Sequence, residues 1–135
     1  MMKLCLWLFT VAIASITVGA ERDAEARKEL AGVWAGRVDE GATGHQLTFT
    51  PNQIAGKKDE KQYLGEGGFK LDLLKQPRWM DATGTKGPQK GRRYLGIYAL
   101  DGETLKWCVS MPGNERPTEF ATKDGQFLLI LKRQK

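Results

Sequence analysis

The stretch YLGIYALDGETLKWCVSM, residues 94–111, decides the fold. Two apolar runs flank Asp101-Gly102. An Asp-Gly pair accepts the positive φ angles of a type I′ turn, whose twist suits a tight hairpin. After the turn, Leu105, Trp107, Val109 and Met111 alternate with Thr104, Lys106, Cys108 and Ser110. A period of two sends apolar side chains to one face of a sheet and polar ones to the other. Tyr98 and Trp107, on opposite sides of the turn, are expected to share a face.

The same period recurs upstream. Leu47 and Phe49 alternate with Gln46, Thr48 and Thr50, and Phe69, Leu71 and Leu73 alternate with Lys70 and Asp72. Downstream, Phe127 to Leu131 is continuously apolar and reads as a strand covered on both sides. Asp124-Gly125 offers a weaker second turn. Gly65, Gly67 and Gly68 predict a bulge or strong bend within a strand. Gly84, Gly87, Pro88 and Gly91 place the longest loop at Thr83 to Gly91. The count is about eight short strands with frequent turn signals, which points to a barrel or a sandwich.

The N-terminus reads differently. Lys3 precedes a largely apolar run from Leu4 to Val18, Val18-Gly19-Ala20 supplies small residues, and charge returns at Glu21, Arg22 and Asp23. That order is a secretory signal peptide, with cleavage expected after Ala20. The apolar run is shorter than the roughly 20 residues of a spanning helix, so no membrane span is expected after cleavage. The protein is therefore expected to be secreted or periplasmic. Removing 20 of the 135 residues leaves one domain, residues 21–135. Because Lys3 is the leader's one charged residue, the formal net charge falls from +5 to +4. Ala24 to Leu30 predicts a short helix that needs packing to be stable.

Cys5 leaves with the leader, so the mature chain keeps Cys108 alone and forms no intramolecular disulfide. Cys108 is expected to be a buried apolar filler. Basic residues gather at Lys57, Lys58 and Lys61, and again at Lys86, Lys90, Arg92 and Arg93. Such groups keep loops solvated, or attract an anionic glycan or lipid surface. Export argues against a nucleic-acid partner.

The chemical inventory is small. The mature chain has one His (His45), one Ser (Ser110) and one Cys (Cys108). A triad or dyad would have to join His45 to Ser110 or Cys108, and neither nucleophile lies in a sharp turn. No C-x-x-C or H-x-x-x-H spacing marks a metal site. No phosphate-cradling glycine motif is present. The chain reads as non-enzymatic, with no catalytic residue, cofactor or metal.

Two stretches carry a family likeness. Gly32-Val33-Trp34 looks like the G-x-W signature of lipocalins. The block Gly96 to Cys108, followed by Arg116-Pro117-Thr118-Glu119-Phe120 and a last apolar strand ending in Lys132-Arg133, resembles an uncharacterised planctomycete family of small exported lipocalin-like proteins. Pro77-Arg78-Trp79-Met80-Asp81 fits that family's middle motif, with Met80 where Ile is more usual. The likeness spans roughly Leu30 to Arg133. It implies an all-β fold: a small lipocalin-like antiparallel β-barrel of about eight strands with a short N-terminal helix at its closed end. It also implies that Arg133 crosses Trp34. It implies no activity. The chain is shorter than a full lipocalin and lacks the lipocalin disulfides, so any cavity is expected to be smaller.

Aromatic residues carry the remaining clue. Tyr63, Trp79, Tyr98 and Trp107 either line a pocket, with Arg116 supplying a charge at its mouth, or fill the core. Gly32, Trp34, Asp101, Gly102 and Arg133 read as structural. The functional expectation is a monomer binding a small apolar ligand. The alternative is a protein- or envelope-interaction module that meets an anionic envelope component through its basic loops.

Overall fold

Alternating patterning closes into a ring of strands. The structure, a computed structural model, describes residues 10–38, 44–59 and 61–135. Helix α1 (Thr10–Leu30) leads into β1 (Gly32–Val38), β2 (Gly44–Phe49), β3 (Gln53–Lys58), β4 (Gln62–Asp72) and β5 (Arg78–Lys86). A short 3-10 turn at Gly87–Gln89 is followed by β6 (Arg93–Tyr94), β7 (Gly96–Asp101), β8 (Thr104–Ser110) and β9 (Gln126–Arg133).

Every strand pairing is antiparallel, and the ring runs β1-β2-β3-β4-β5-β7-β8-β9. It closes through β1 and β9, from Trp34↔Arg133 to Val38↔Leu129. Closure removes the exposed edges that an open sheet would leave. β6 and β7 lie on one line along β5. Ala82↔Tyr94 and Arg78↔Tyr98 share a register, interrupted at Leu95. The eight-stranded barrel with an N-terminal helix is the fold expected.

Several local expectations shift. The helix begins well before Ala24 and passes through Val18-Gly19-Ala20. Residues 1–9, which hold Lys3 and Cys5, lie outside the described residues. β5 continues to Lys86, so the loop expected from Thr83 starts at Gly87. At the central hairpin Asp101 pairs with Thr104, so Gly102 and Glu103 form the two-residue loop. Only Gly102 of these has a positive φ, +59°, which matches the first central position of a type II′ turn and not type I′. Met111 leaves the alternating face and is exposed.

The barrel interior holds Trp34, Leu47, Phe49, Ile54, Phe69, Met80, Tyr98, Leu105, Trp107, Val109, Leu129 and Leu131. Tyr98 and Trp107 are direct cross-strand partners in it. Phe49 meets Phe69 and Trp107 edge-on, at 5.5 and 6.5 Å between ring centres. A second, smaller cluster lies on the outer face. Ile97, Cys108 and Leu128 pack there with Trp79, Phe120 and Ile130. The segment 111–125 covers this face. Cys108 Sγ donates to the Ala121 carbonyl, and the Leu128 N–H donates to Thr122 Oγ1. The continuous apolar run of β9 follows directly, because Leu129 and Leu131 face inward while Leu128 and Ile130 face this cover.

Helix α1 seals one end. Ala26 and Leu30 are buried, while Val18, Gly19 and Ala20 are exposed. Arg27 donates to the carbonyls of Pro51 (2.8 Å) and Phe69 (3.0 Å) and lies 4.5 Å from the Phe69 ring centre. The final carbonyls of a helix have no partner within it. Here Trp34 Nε1 donates to Leu30 at 2.8 Å, and the Arg133 guanidinium donates to Glu29 and Ala31.

Candidate functional site

Opposite the helix, the barrel is hollow. A cavity of about 290 Å³ opens there, with His45, Lys58, Glu66 and Gln89 among its lining residues. Its volume sits at the lower end of the ~300–1,000 Å³ typical of small-molecule sites.

The hollow comes from small residues. Along one wall, inward positions that would otherwise carry core side chains are Gly56 on β3, Gly65 and Gly67 on β4, and Ala82 and Gly84 on β5. Across the ring stand Trp107 and Val109 of β8 and Phe127 and Leu129 of β9. Strand β4 bends at this wall. Its register slips against β3 between Gly56 and Lys57, and against β5 between Glu66 and Gly67. Gly65 has φ +122°, and a Cβ there would fall 2.7 Å from the Lys86 carbonyl oxygen. The glycine cluster is therefore a bulged strand, as its composition suggests.

Polar groups gather at the mouth. His45 and Lys58 are direct cross-strand partners on the inward face of β2 and β3, and both line the cavity with Glu66 and Gln89. Tyr94, also in the lining, donates its hydroxyl to Gln89 Oε1 at 2.5 Å. The Asp59 carboxylate accepts the Gly44 N–H at 2.9 Å. The Glu66 carboxylate accepts the Tyr63 hydroxyl at 3.3 Å.

Of the five residues proposed from sequence as ligand contacts, Trp107 alone lines this cavity. Tyr98 is buried in the core, where burial raises its hydroxyl pKa and the nearby Arg78 opposes the rise. Tyr63 is 46% exposed outside the mouth. Trp79 and Arg116 meet on the outer wall, with the guanidinium 3.7 Å from the ring centre. Arg116 also holds Asp81 with both terminal nitrogens, one at 2.9 Å, and donates to the Gly96 carbonyl at 2.8 Å. This brings the Trp79-Met80-Asp81 motif and Arg116 together as a brace.

The brace mends an opening between β5 and the β6–β7 line. There the Met80 carbonyl accepts the Trp107 indole N–H at 3.1 Å, and the Gly96 N–H donates to Asp81 Oδ1 at 3.2 Å. An unpaired buried backbone group costs about 1–3 kcal/mol, so these side chains stabilise the gap.

Candidate nucleophiles are not assembled. Cys108 and Ser110 project to the covered outer face. Burial raises the Cys108 thiol pKa, and Ser110 Oγ donates to the Glu115 carbonyl. His45 faces the cavity. No group of three or more metal-ligating side chains exists among the described residues.

The missed cavity residues, including Lys58, Leu64, Ala82 and Gln89, have one sequence signal. Glycine or alanine recurs at inward positions of three neighbouring strands.

Fold and site define a small closed β-barrel with an apolar cavity open at one end. Comparison with protein-family models, curated proteins and solved structures gave no match.

Proposed function

We propose that this protein is an exported, non-enzymatic barrel that binds a small, mostly apolar molecule in the cavity beneath Trp107. The observation that carries the reading is the hollow itself. Interiors of eight-stranded barrels are wide enough for side chains to fill, and this one is left open by glycine and alanine on one wall. Resemblance to the planctomycete lipocalin-like family, through Gly32-Val33-Trp34 and the Gly96–Phe120 block, supports the barrel fold in which such a cavity lies. The basic loops flank the cavity mouth, so they are read as part of this site and not as a separate interaction module.

Native mass spectrometry of protein purified from its own host tests the proposal. The expected result is a retained small molecule, lost when the cavity is filled by Ala82→Leu or Val109→Phe in a protein that still folds. Retention of the same molecule by both filled variants would refute binding at this place. Export is tested on the same sample, because N-terminal sequencing should begin at Glu21.

A further inference from the structure

We infer that the ligand is an amphipathic anion, with its apolar body in the barrel and its anionic head at the mouth beside Lys58. This rests on the proposed binding role of the cavity and adds the class of ligand. The deep walls are apolar: Leu47, Ile54, Trp107, Val109 and Leu129. A purely apolar ligand would find no use for a charged rim, yet Lys58 lines the cavity on an inward position of β3.

The surroundings are basic in balance. The stretches 57–66 and 86–93 carry Lys57, Lys58, Lys61, Lys86, Lys90, Arg92 and Arg93, against Asp59, Glu60 and Glu66. The carboxylates of Asp59 and Glu66 are engaged by Gly44 and Tyr63. Glu66 shares the lining with Lys58, and the excess of basic over acidic residues in these stretches favours an incoming anion beside low-dielectric walls. A charge-assisted hydrogen bond is roughly twice as strong as a neutral one. A cationic head would face repulsion at this rim. A neutral head would gain less from it than an anion.

The experiment titrates the full chain, by calorimetry at neutral pH, with three probes of equal chain length: octanoate, 1-octanol and octylammonium. Octanoate is expected to bind about tenfold more tightly than 1-octanol, with octylammonium weakest. The preference for octanoate should shrink as salt is added. Lys58→Gln should remove most of the preference for octanoate over 1-octanol. Lys58→Met, with the same loss of preference expected, is the second variant should Lys58→Gln fail to fold.

Equal binding of octanoate and 1-octanol would overturn the anionic class and leave the cavity reading standing. Binding of none of the three would overturn both. Octanoate binding that survives Ala82→Leu undiminished would assign the anion to the exposed basic loops, as for an anionic surface, and would also overturn the inference.

Discussion

The guanidinium of Arg133 lies 4.3 Å from the ring centre of Trp34, and the two residues are cross-strand partners in the pairing that closes the barrel. The same guanidinium donates to the carbonyls of Glu29, in the last turn of α1, and Ala31, just after it, and stands 3.5 Å from the Glu103 carboxylate. One side chain thus joins the final strand, the first strand and the helix end.

Removing it should be felt in proportion. A partly buried cation over an indole contributes roughly 0.5–2 kcal/mol, and hydrogen bonds to helix carbonyls add to that. Arg133→Ala is expected to destabilise by about 1–3 kcal/mol in denaturant titration. Trp34→Ala, which empties a fully buried site, should cost about 3–5 kcal/mol. The double variant should lose less than the sum. Strict additivity, within about 0.5 kcal/mol, would mean that the pair is uncoupled.

Gly96 admits no side chain. A Cβ there would sit 2.6 Å from Trp107 Nε1 and 2.8 Å from the Met80 carbonyl oxygen, the two atoms that bond beneath it. Gly96→Ala should therefore destabilise by several kcal/mol, roughly 2–4, through overpacking and loss of that hydrogen bond. Trp107→Phe keeps most of the ring and loses the donor, for a cost of about 1–3 kcal/mol. Thermal melts of the two variants should keep this order.

Arg116 and Asp81 are each about five-sixths buried and bonded at both carboxylate oxygens. Arg116→Met leaves the Asp81 carboxylate without its cation and opens the Gly96 carbonyl, and should cost about 2–4 kcal/mol. Combined with Asp81→Asn, the loss should fall short of the sum. Ligand binding in the cavity should persist in either variant that folds, because the brace lies outside the barrel wall. A specific loss of binding with stability intact would instead place Arg116 in the site.

Cys108 supplies a pH prediction. Burial raises its thiol pKa above the ordinary value. The folded state then holds the proton more tightly than the unfolded chain. This contribution to stability is fully present below the ordinary thiol pKa and is lost as pH rises through the higher folded value. Melting temperature should fall more steeply at alkaline pH in the parent than in Cys108→Ala. Iodoacetamide should label Cys108 slowly in the folded protein and rapidly in denaturant. Fast labelling under native conditions would contradict the burial.

The barrel was legible because its signals are local. Alternation in residues 104–110 and the glycine after Asp101 specify a hairpin without knowledge of the rest of the chain. The turn was displaced by one residue because pairing across the hairpin, Asp101 with Thr104, outweighs the preference of an Asp-Gly pair for central positions. The cavity was less legible for a geometric reason. Aromatic side chains announce themselves in a sequence, but this hollow is made by residues that lack side chains, on strands adjacent only after folding. Trp79 and Arg116 drew attention for their chemistry and proved to serve one another and Asp81. Residue type does not say which side of a strand is the inside once segment 111–125 covers the outer face with apolar contacts of its own.

The β1–β9 seam has a consequence in time. The contacts of Arg133 with Ala31 and Glu29 span 102 and 104 residues of chain. Such distant pairings form late and slowly, because closure of so long a loop must precede any reward. The end of α1 is pinned by a residue synthesised about a hundred positions later. Until that residue emerges, the N-terminal segment has no finished barrel to dock on. The order of synthesis therefore leaves the end of α1 without this partner until β9 has been made.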